Sequence, residues 1–344
     1  MTWTADGSGL LIVARDGSAS PFQIWQVSYP DGAWSRITND LNSYSKVDRS
    51  ADGKTLITAQ EKSESHLWQM SLADPKNARK LTFGQTYKDG NTGLAFTPDG
   101  ERIVYSSSES GNYEIWTANA DGSNRKQLTF GGEFAREAAV TPDNRYIVFT
   151  KTVNSVPHLW RMNTDGSNPV QLTNGAGEGY QPAFTPDRRS VIYTFIDVPP
   201  KNGLYRISID GGEPVQLTDK FGGYMPVISP DGKWIAYNFY NYETAGMPWQ
   251  SGIIPAEGGE PVKTFEQPNR GFMCWTADSQ SLLHLDENLM NIWRKPIFGS
   301  GSPEQITDFK SEVMRRFALS PDGKQLLLAR GATETSIVMI QNVP

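Results

Sequence analysis

Phe96-Thr97-Pro98-Asp99-Gly100, continued by an apolar run at 103–106, Ile115-Trp116, Asp121-Gly122-Ser123-Asn124 and Gln127-Leu128-Thr129, is a phrase that this chain repeats from end to end. Its opening tetrad returns as Thr4-Ala5-Asp6-Gly7, Ser50-Ala51-Asp52-Gly53, Thr141-Pro142-Asp143-Asn144 and Thr185-Pro186-Asp187-Arg188. It returns again as Ser229-Pro230-Asp231-Gly232, Thr276-Ala277-Asp278-Ser279 and Ser320-Pro321-Asp322-Gly323. The eight aspartates stand 46, 47, 44, 44, 44, 47 and 44 residues apart. A fixed period of roughly 40–50 residues is the signature of a propeller or a related repeat array. The 344 residues therefore read as one repetitive domain rather than as two domains divided by length.

Each period carries further beats. A β-prone run follows each aspartate, at 10–14, 56–59, 103–106, 147–150, 191–194, 235–238, 282–285 and 326–329. Then comes an aliphatic–aromatic pair: Ile24-Trp25, Leu67-Trp68, Ile115-Trp116, Leu159-Trp160, Leu204-Tyr205 and Ile292-Trp293. The unit closes on Ile37-Thr38, Leu81-Thr82, Leu128-Thr129, Leu172-Thr173, Leu217-Thr218 and Ile306-Thr307. Runs of about 4–6 residues separated by Gly, Pro, Asn and Asp turns describe a four-stranded antiparallel meander, and no sustained 3.6-residue apolar period competes with it. We label the strands of each unit A to D, with the tetrad joining A to B. Proline presets φ, aspartate bonds its own turn and glycine takes the positive-φ site, so the recurring aspartate is a turn device and not eight catalytic acids. Four residues before the aspartate stand Ala95, Ala139, Ala183, Val227, Cys274 and Ala318, followed by bulky Phe96, Val140, Phe184, Ile228, Trp275 and Leu319. Side chains alternate faces along a strand, so A has one face short of volume, as fits the innermost strand at a crowded axis.

The quoted phrase resembles the WD40-like (PD40) repeat in the propeller of TolB, and the likeness extends over the whole chain. The runs at 37–44 and 211–219 also resemble the C-terminal propeller region of bacterial receptor-type serine/threonine kinases and related modular regulators. The resemblance implies an all-β propeller of four-stranded blades, a noncatalytic binding, sensor or scaffold role, and an extracytoplasmic (periplasmic) location. The units are expected at 1–41, 42–85, 86–132, 133–175, 176–220, 221–265, 266–309 and 310–344. They give one ring of eight blades whose last blade lacks its outer strand, the missing strand belonging to the upstream part of a longer protein. Seven blades with a leftover unit is the alternative.

A net charge of −6 with dispersed lysines and arginines argues against nucleic acid as the partner. The pairs Arg79-Lys80 and Arg125-Lys126 precede D strands, where edge charge discourages aggregation. No apolar run reaches a membrane span and no signal-peptide pattern is visible. No serine-hydrolase elbow or kinase motif occurs, and Gly175-Ala176-Gly177-Glu178-Gly179 joins strands without opening a helix. His66 and His158 hold equivalent positions in separate units, with His284 in a B strand, which does not converge on a metal. The single cysteine, Cys274, reads as a buried spacer. No cofactor is expected.

Function should lie where the repeats differ. Six residues before the later aspartates stand Lys46, Gly93, Glu137, Gln181, Met225, Phe272 and Arg316, and seven before stand Ser45, Thr92, Arg136, Tyr180, Tyr224, Gly271 and Arg315. The sixth unit adds a long B–C connection with Tyr240, Tyr242 and Trp249, and has Gly252 where other units place Trp. Trp249 either fills that vacancy or joins the rim. The candidate rim for a protein, peptide or small-molecule ligand is therefore Arg136, Glu137, Tyr180, Gln181, Tyr224, Met225, Tyr240, Tyr242, Trp249, Phe272, Arg315 and Arg316, since aromatic and Arg side chains dominate binding hot spots. A propeller lyase or hydrolase is the alternative, but Glu137 and Asp48 are its only rim carboxylates and lie in different units.

Overall fold

A computed structural model describes residues 1–15, 21–40, 42–84, 87–197, 201–218, 222–240, 249–266 and 271–341. Among the described residues every regular element is a strand, and these strands form eight antiparallel sheets, seven of four strands and one of three. The chain divides into two compact units, the first made of 1–64, 84–88 and 331–344, the second of 65–83 and 89–330.

The tetrad is the same device in all eight copies. Its Thr or Ser hydroxyl donates to the aspartate Oδ1 at 2.5–2.8 Å. The same Oδ1 accepts the backbone N–H two residues on, at 3.0–3.2 Å. Its fourth residue has a positive φ even where it is not glycine, at Asn144, Arg188 and Ser279. The closing threonine is equally mechanical. The hydroxyl oxygens of Thr38, Thr82, Thr129, Thr173, Thr218 and Thr307 each accept the N–H of the aliphatic residue of the C-strand pair, Ile24, Leu67, Ile115, Leu159, Leu204 and Ile292 in turn. Where glutamine precedes it, as at Gln127, Gln171, Gln216 and Gln305, the amide bonds the threonine carbonyl. These buried hydroxyls satisfy backbone groups at the D-strand end that would otherwise be stranded.

In the second unit, five sheets follow the repeats in order. Their inner strands are Leu94–Phe96, Ala135–Val140, Glu178–Phe184, Tyr224–Ile228 and Met273–Trp275. The sixth sheet combines Val313–Leu319 and Gln325–Gly331 from the end of the chain with His66–Ser71 and Asp74–Lys80 from near its beginning. The six inner strands line one channel, so this ring closes with six members. In the first unit, Thr2–Trp3, Gly9–Ala14, Gln23–Ser28 and Trp34–Arg36 form one sheet, while Ser43–Arg49, Thr55–Ser63 and Thr333–Gln341 form the three-stranded one.

Eight repeats thus give eight sheets, but the units 42–85 and 310–344 do not fold as separate sheets. Their C strands have changed partners: Leu328 pairs with Trp68, and Met339 with Ile57. The B strands of the two units carry the same pattern of apolar residues and so offer interchangeable edges. Only 66–80, however, brings both a C and a D strand, and its pairing completes a four-stranded sheet in the ring.

Packing follows the alternation within each strand. Ile103, Ile115, Ile147, Leu159, Val191, Leu204, Ile235 and Leu326 are all fully buried, and six apolar clusters fill the second unit. A seventh, built on Leu11, Ile24, Tyr44, Val47 and Leu56, fills the first. Trp116 packs half-buried against the cluster of Leu67, Leu94, Ile103 and Tyr105, with the Arg125 guanidinium 5.5 Å above its ring. Arg125, expected as an edge charge, also donates to Tyr105 Oη at 2.9 Å and pairs with Glu109.

Two outcomes are expected. Trp116→Ala should lower stability by about 3 kcal/mol, the cost of a large aromatic truncation in a packed site, measured by denaturant unfolding; a parent-like midpoint would mean the ring does not depend on it. The tetrad carboxylates Asp52, Asp143, Asp187, Asp231, Asp278 and Asp322 sit below the ordinary 3.8, chiefly through their hydroxyl and backbone donors, although at Asp143 burial opposes these as the largest single influence. Asp6 is held at about 2 by the Ser8 backbone and hydroxyl and by Thr4. Folded values below unfolded ones give stability that is present above 3.8 and lost as pH falls through the folded values. Buried Glu114, pushed up by desolvation, works in the opposite sense. The melting temperature should therefore fall between about pH 4 and pH 2, and Asp231→Asn should flatten that fall.

Candidate functional site: the channel mouth

The channel of the second unit holds a cavity of about 410 Å³. Gly93, Glu137, Gln181, Met225, Phe272 and Arg316, one in or just before each inner strand, line it at one end, and Pro142 and Pro230 of the tetrads line it at the other. Between them run the small positions Ala95, Ala139, Ala183, Val227, Cys274 and Ala318. Strand pairing slips between Arg136 and Ala139, Tyr180 and Ala183, and Tyr224 and Val227. At these bulges Glu137, Gln181 and Met225 have φ of 57°, 55° and 54°. Left-handed backbone at non-glycine residues is costly and persists where surrounding bonds over-determine it.

Those bonds run from blade to blade. Glu137 Oε2 accepts the Gln181 N–H at 2.9 Å and the Thr150 hydroxyl at 3.0 Å. Gln181 Oε1 accepts the Met225 N–H at 2.8 Å and the Thr194 hydroxyl at 2.9 Å. At the next step Asn238 takes over, donating to the Gly271 carbonyl at 3.2 Å, since the Met225 thioether is a poor acceptor. Gly93 begins the chain with no side chain, and a Cβ there would meet Glu137 N at 2.8 Å and Ala138 N at 2.9 Å. Glu137 and Gln181 thus spend acceptor capacity on joining neighbouring blades. Their hydroxyl and amide partners were missed at the sequence level, although Ser106, Thr150, Thr194 and Asn238 each stand seven residues after a tetrad aspartate.

The cationic and aromatic rim residues gather in three groups. Arg136 lies between the Phe134 and Tyr180 rings, at 4.8 and 5.1 Å. Tyr180 donates to Glu178 at 2.6 Å, and its phenol is raised by burial and by that carboxylate. Arg316 lies 4.9 Å over Phe272, itself edge-on to Phe317 at 5.5 Å. Desolvation draws the Arg316 guanidinium below its ordinary value; Glu137 opposes that shift and Arg136 adds to it. Tyr224, Tyr240 and Trp249 form the third group, with Tyr240 and Trp249 centroids 3.7 Å apart and Tyr224 at 6.2 and 5.5 Å from them. Trp249 does not occupy the vacancy at Gly252, which the Tyr237 ring fills: a Cβ at Gly252 would come within 2.7 Å of it. Tyr242 falls in 241–248, outside the described residues.

Arg315 lines a smaller cavity of about 220 Å³ with Asn91, Met225, Leu289 and Arg316. Asn91 donates to Tyr113 Oη at 2.9 Å, and Tyr113 meets Phe134 edge-on at 5.1 Å. This Asn–Tyr pair was not singled out from the sequence, because neither residue falls at the offsets that mark the rim. The other candidates disperse. His66 and His158 are buried at the starts of C strands in different sheets, and the His284 ring bonds the Leu285 carbonyl at 3.0 Å. Cys274 forms part of the channel wall, and burial pushes its thiol up to about 12. Asp48 belongs to the first unit and bonds the Arg49 N–H. Among the described residues no group of three or more His, Cys, Asp or Glu is placed to hold a metal.

Because the Gly93 side chain would strike backbone and not a movable tip, Gly93→Ala should cost about 1–3 kcal/mol through overpacking. Thermal unfolding of the variant tests this, and an unchanged melting temperature would show that the two strands can separate freely.

Residues 87–247 match the family model described as TolB beta propeller domain. Among solved structures, the chain is similar to a TolB-type protein from Agrobacterium tumefaciens, with 17% identity, TM-score 0.63, and 78% of this chain and 99% of that one covered. It is similar also to TolB from Acinetobacter baumannii, with 17% identity, TM-score 0.54, and coverage of 96% and 81%. A chain of the nidogen/laminin complex aligns at 14% identity and TM-score 0.52 over 68% of this chain and 89% of its own. The chain therefore shares the β-propeller fold of these TolB structures, and residues 87–247 of it match the TolB propeller repeat model.

Proposed function

We propose that the chain is a noncatalytic binding module, a sensor or scaffold, that takes a protein, peptide or small envelope ligand at the channel mouth. The observation that carries this reading is the contrast between the channel's two ends. One end repeats a single turn, whereas the other places Arg316 and Phe272 on an open cavity, with Arg136 stacked on Tyr180 nearby. Aromatic and Arg side chains supply most of the energy in recognition surfaces. The acidic net charge of −6 favours ligands other than nucleic acid. The TolB-like fold supports a binding role and an extracytoplasmic setting, and the repeat phrasing supports a sensor region like that of receptor-type kinases. Fold alone assigns no chemistry, since propellers host both binding and catalysis. An enzyme would need a nucleophile with a base or a metal cluster at the mouth, and the channel presents alanines, a high-pKa thiol, the Arg316 guanidinium and a Glu137 carboxylate already bonded to Gln181 and Thr150.

The triple variant Tyr180→Ala, Tyr224→Ala, Arg316→Ala should keep its β-sheet spectrum yet lose at least about tenfold in capture of envelope proteins or peptides, on the scale of lost hot spots. Equal capture by parent and variant, or a partner footprint on the tetrad face, would move the functional surface away from the mouth. Hydrolysis or β-elimination by the parent chain, abolished in the same variant, would replace the binding reading with a catalytic one.

A further inference from the structure

We propose that the channel mouth is a carboxylate site: Arg316 receives the carboxylate, and the aliphatic body carrying it enters the channel between Ala139, Ala183 and Ala318. This deepens the reading above by naming the chemistry of the group that enters.

Three observations converge. Arg316 is half-buried and lines both the main cavity and the smaller one beside it. Its contact with the protein is the face of Phe272 at 4.9 Å; among the described residues its guanidinium donates no hydrogen bond and makes no ion pair. Five N–H donors in a fixed fork are thus left to the cavity. Arg136 repeats the pattern beside it, lying between two aromatic rings with a buried Nε that has no acceptor. Desolvating guanidinium groups near one another is unfavourable until an anion arrives. Glu137 acts on Arg316 only at a distance: among the described residues the two form no ion pair or hydrogen bond, and Glu137 Oε2 serves Gln181 and Thr150.

The size and charge of the site select the anion. A planar, singly charged carboxylate fits one guanidinium fork bidentately. A phosphate dianion would bring a second charge toward Glu137, which acts on Arg316 electrostatically. Below the arginine the walls are methyl groups and apolar rings, Ala139, Ala183, Ala318 and Phe184 among them, within a cavity of about 410 Å³. That space accepts a short aliphatic chain or the last residue of a peptide. A small organic acid and a free peptide C-terminus share this chemistry.

The test uses the full chain and four probes: hexanoate, hexanamide, trialanine with a free C-terminus, and trialanine amide, titrated by calorimetry and by NMR. At least one acid should bind about tenfold or more tighter than its amide, the range of a charge-assisted hydrogen bond. Hexanoate alone identifies a small organic acid, and the free peptide alone identifies a chain terminus. Arg316→Ala should reduce the acid to the level of its amide, whereas Arg316→Lys should keep part of the preference, because the charge remains without the fork. Ala139→Phe, which fills the channel and leaves the arginine in place, should also abolish binding of the acid; its melting temperature separates a blocked channel from a damaged fold. The proposal is overturned if acid and amide bind alike, if no probe binds at millimolar concentration, or if Arg316→Ala or a folded Ala139→Phe leaves the acid unaffected. Capture of envelope partners that still depends on Tyr180 and Tyr224 in that event would leave the binding module standing and remove only the carboxylate.

Discussion

The ring depends on one set of hydrogen bonds more than on any other: the antiparallel pairing of Gln325–Arg330 with Ser71–His66. A stack of blades has two raw ends, each exposing an apolar face and an unpaired strand edge. Pairing strands from opposite ends of the unit's sequence removes both. The residues at this junction show how completely it is sealed, since Leu326, Leu327, Leu328 and Ala329 are fully buried and Leu67 likewise. The channel exists because the ring is shut, and the mouth residues face one another only because six inner strands share that channel.

The same economy of parts governs the mouth. Inner strands must be slender near the axis, so alanine recurs there and leaves a channel with methyl walls. Where the strands begin, bulges turn Glu137 and Gln181 sideways into hydrogen bonds with the next blade. The positions that vary most between repeats therefore divide into two kinds. Some variation is structural, as with Gly93, whose missing side chain makes room for the Glu137 backbone. Other variation adds groups that the protein itself does not satisfy, as with Arg136 and Arg316.

Much of the fold was legible because turn chemistry is local. The aspartate of each tetrad and the threonine of each Leu-Thr pair bond within their own unit, so sequence spacing reports their geometry directly. The exchange of C strands between 42–85 and 310–344 was not legible, since two B strands with one pattern cannot say which C strand each will choose. Gly252 was read as a vacancy that Trp249 either fills or leaves in order to join the rim, but the ring that fills it, Tyr237, comes from the strand paired alongside. The candidate rim residues were chosen for their variation, yet variation alone could not separate Glu137, engaged in bonds between blades, from Arg316, which faces the cavity. That distinction requires three-dimensional neighbours. The Asn91–Tyr113 pair escaped for the same reason.

The closing sheet has a consequence in time as well as in space. Its partners lie about 260 residues apart in sequence, Leu67 against Ala329 and Trp68 against Leu328. Contacts of such separation are slow to form, because a long loop must be closed before any bond rewards it. During synthesis His66–Ser71 and Asp74–Lys80 emerge early and wait without their inner partners until Gln325–Arg330 follows, while the five sheets between them are completed one hairpin at a time. The open ring is a state the chain must pass through, with an unpaired strand edge exposed for as long as the wait lasts.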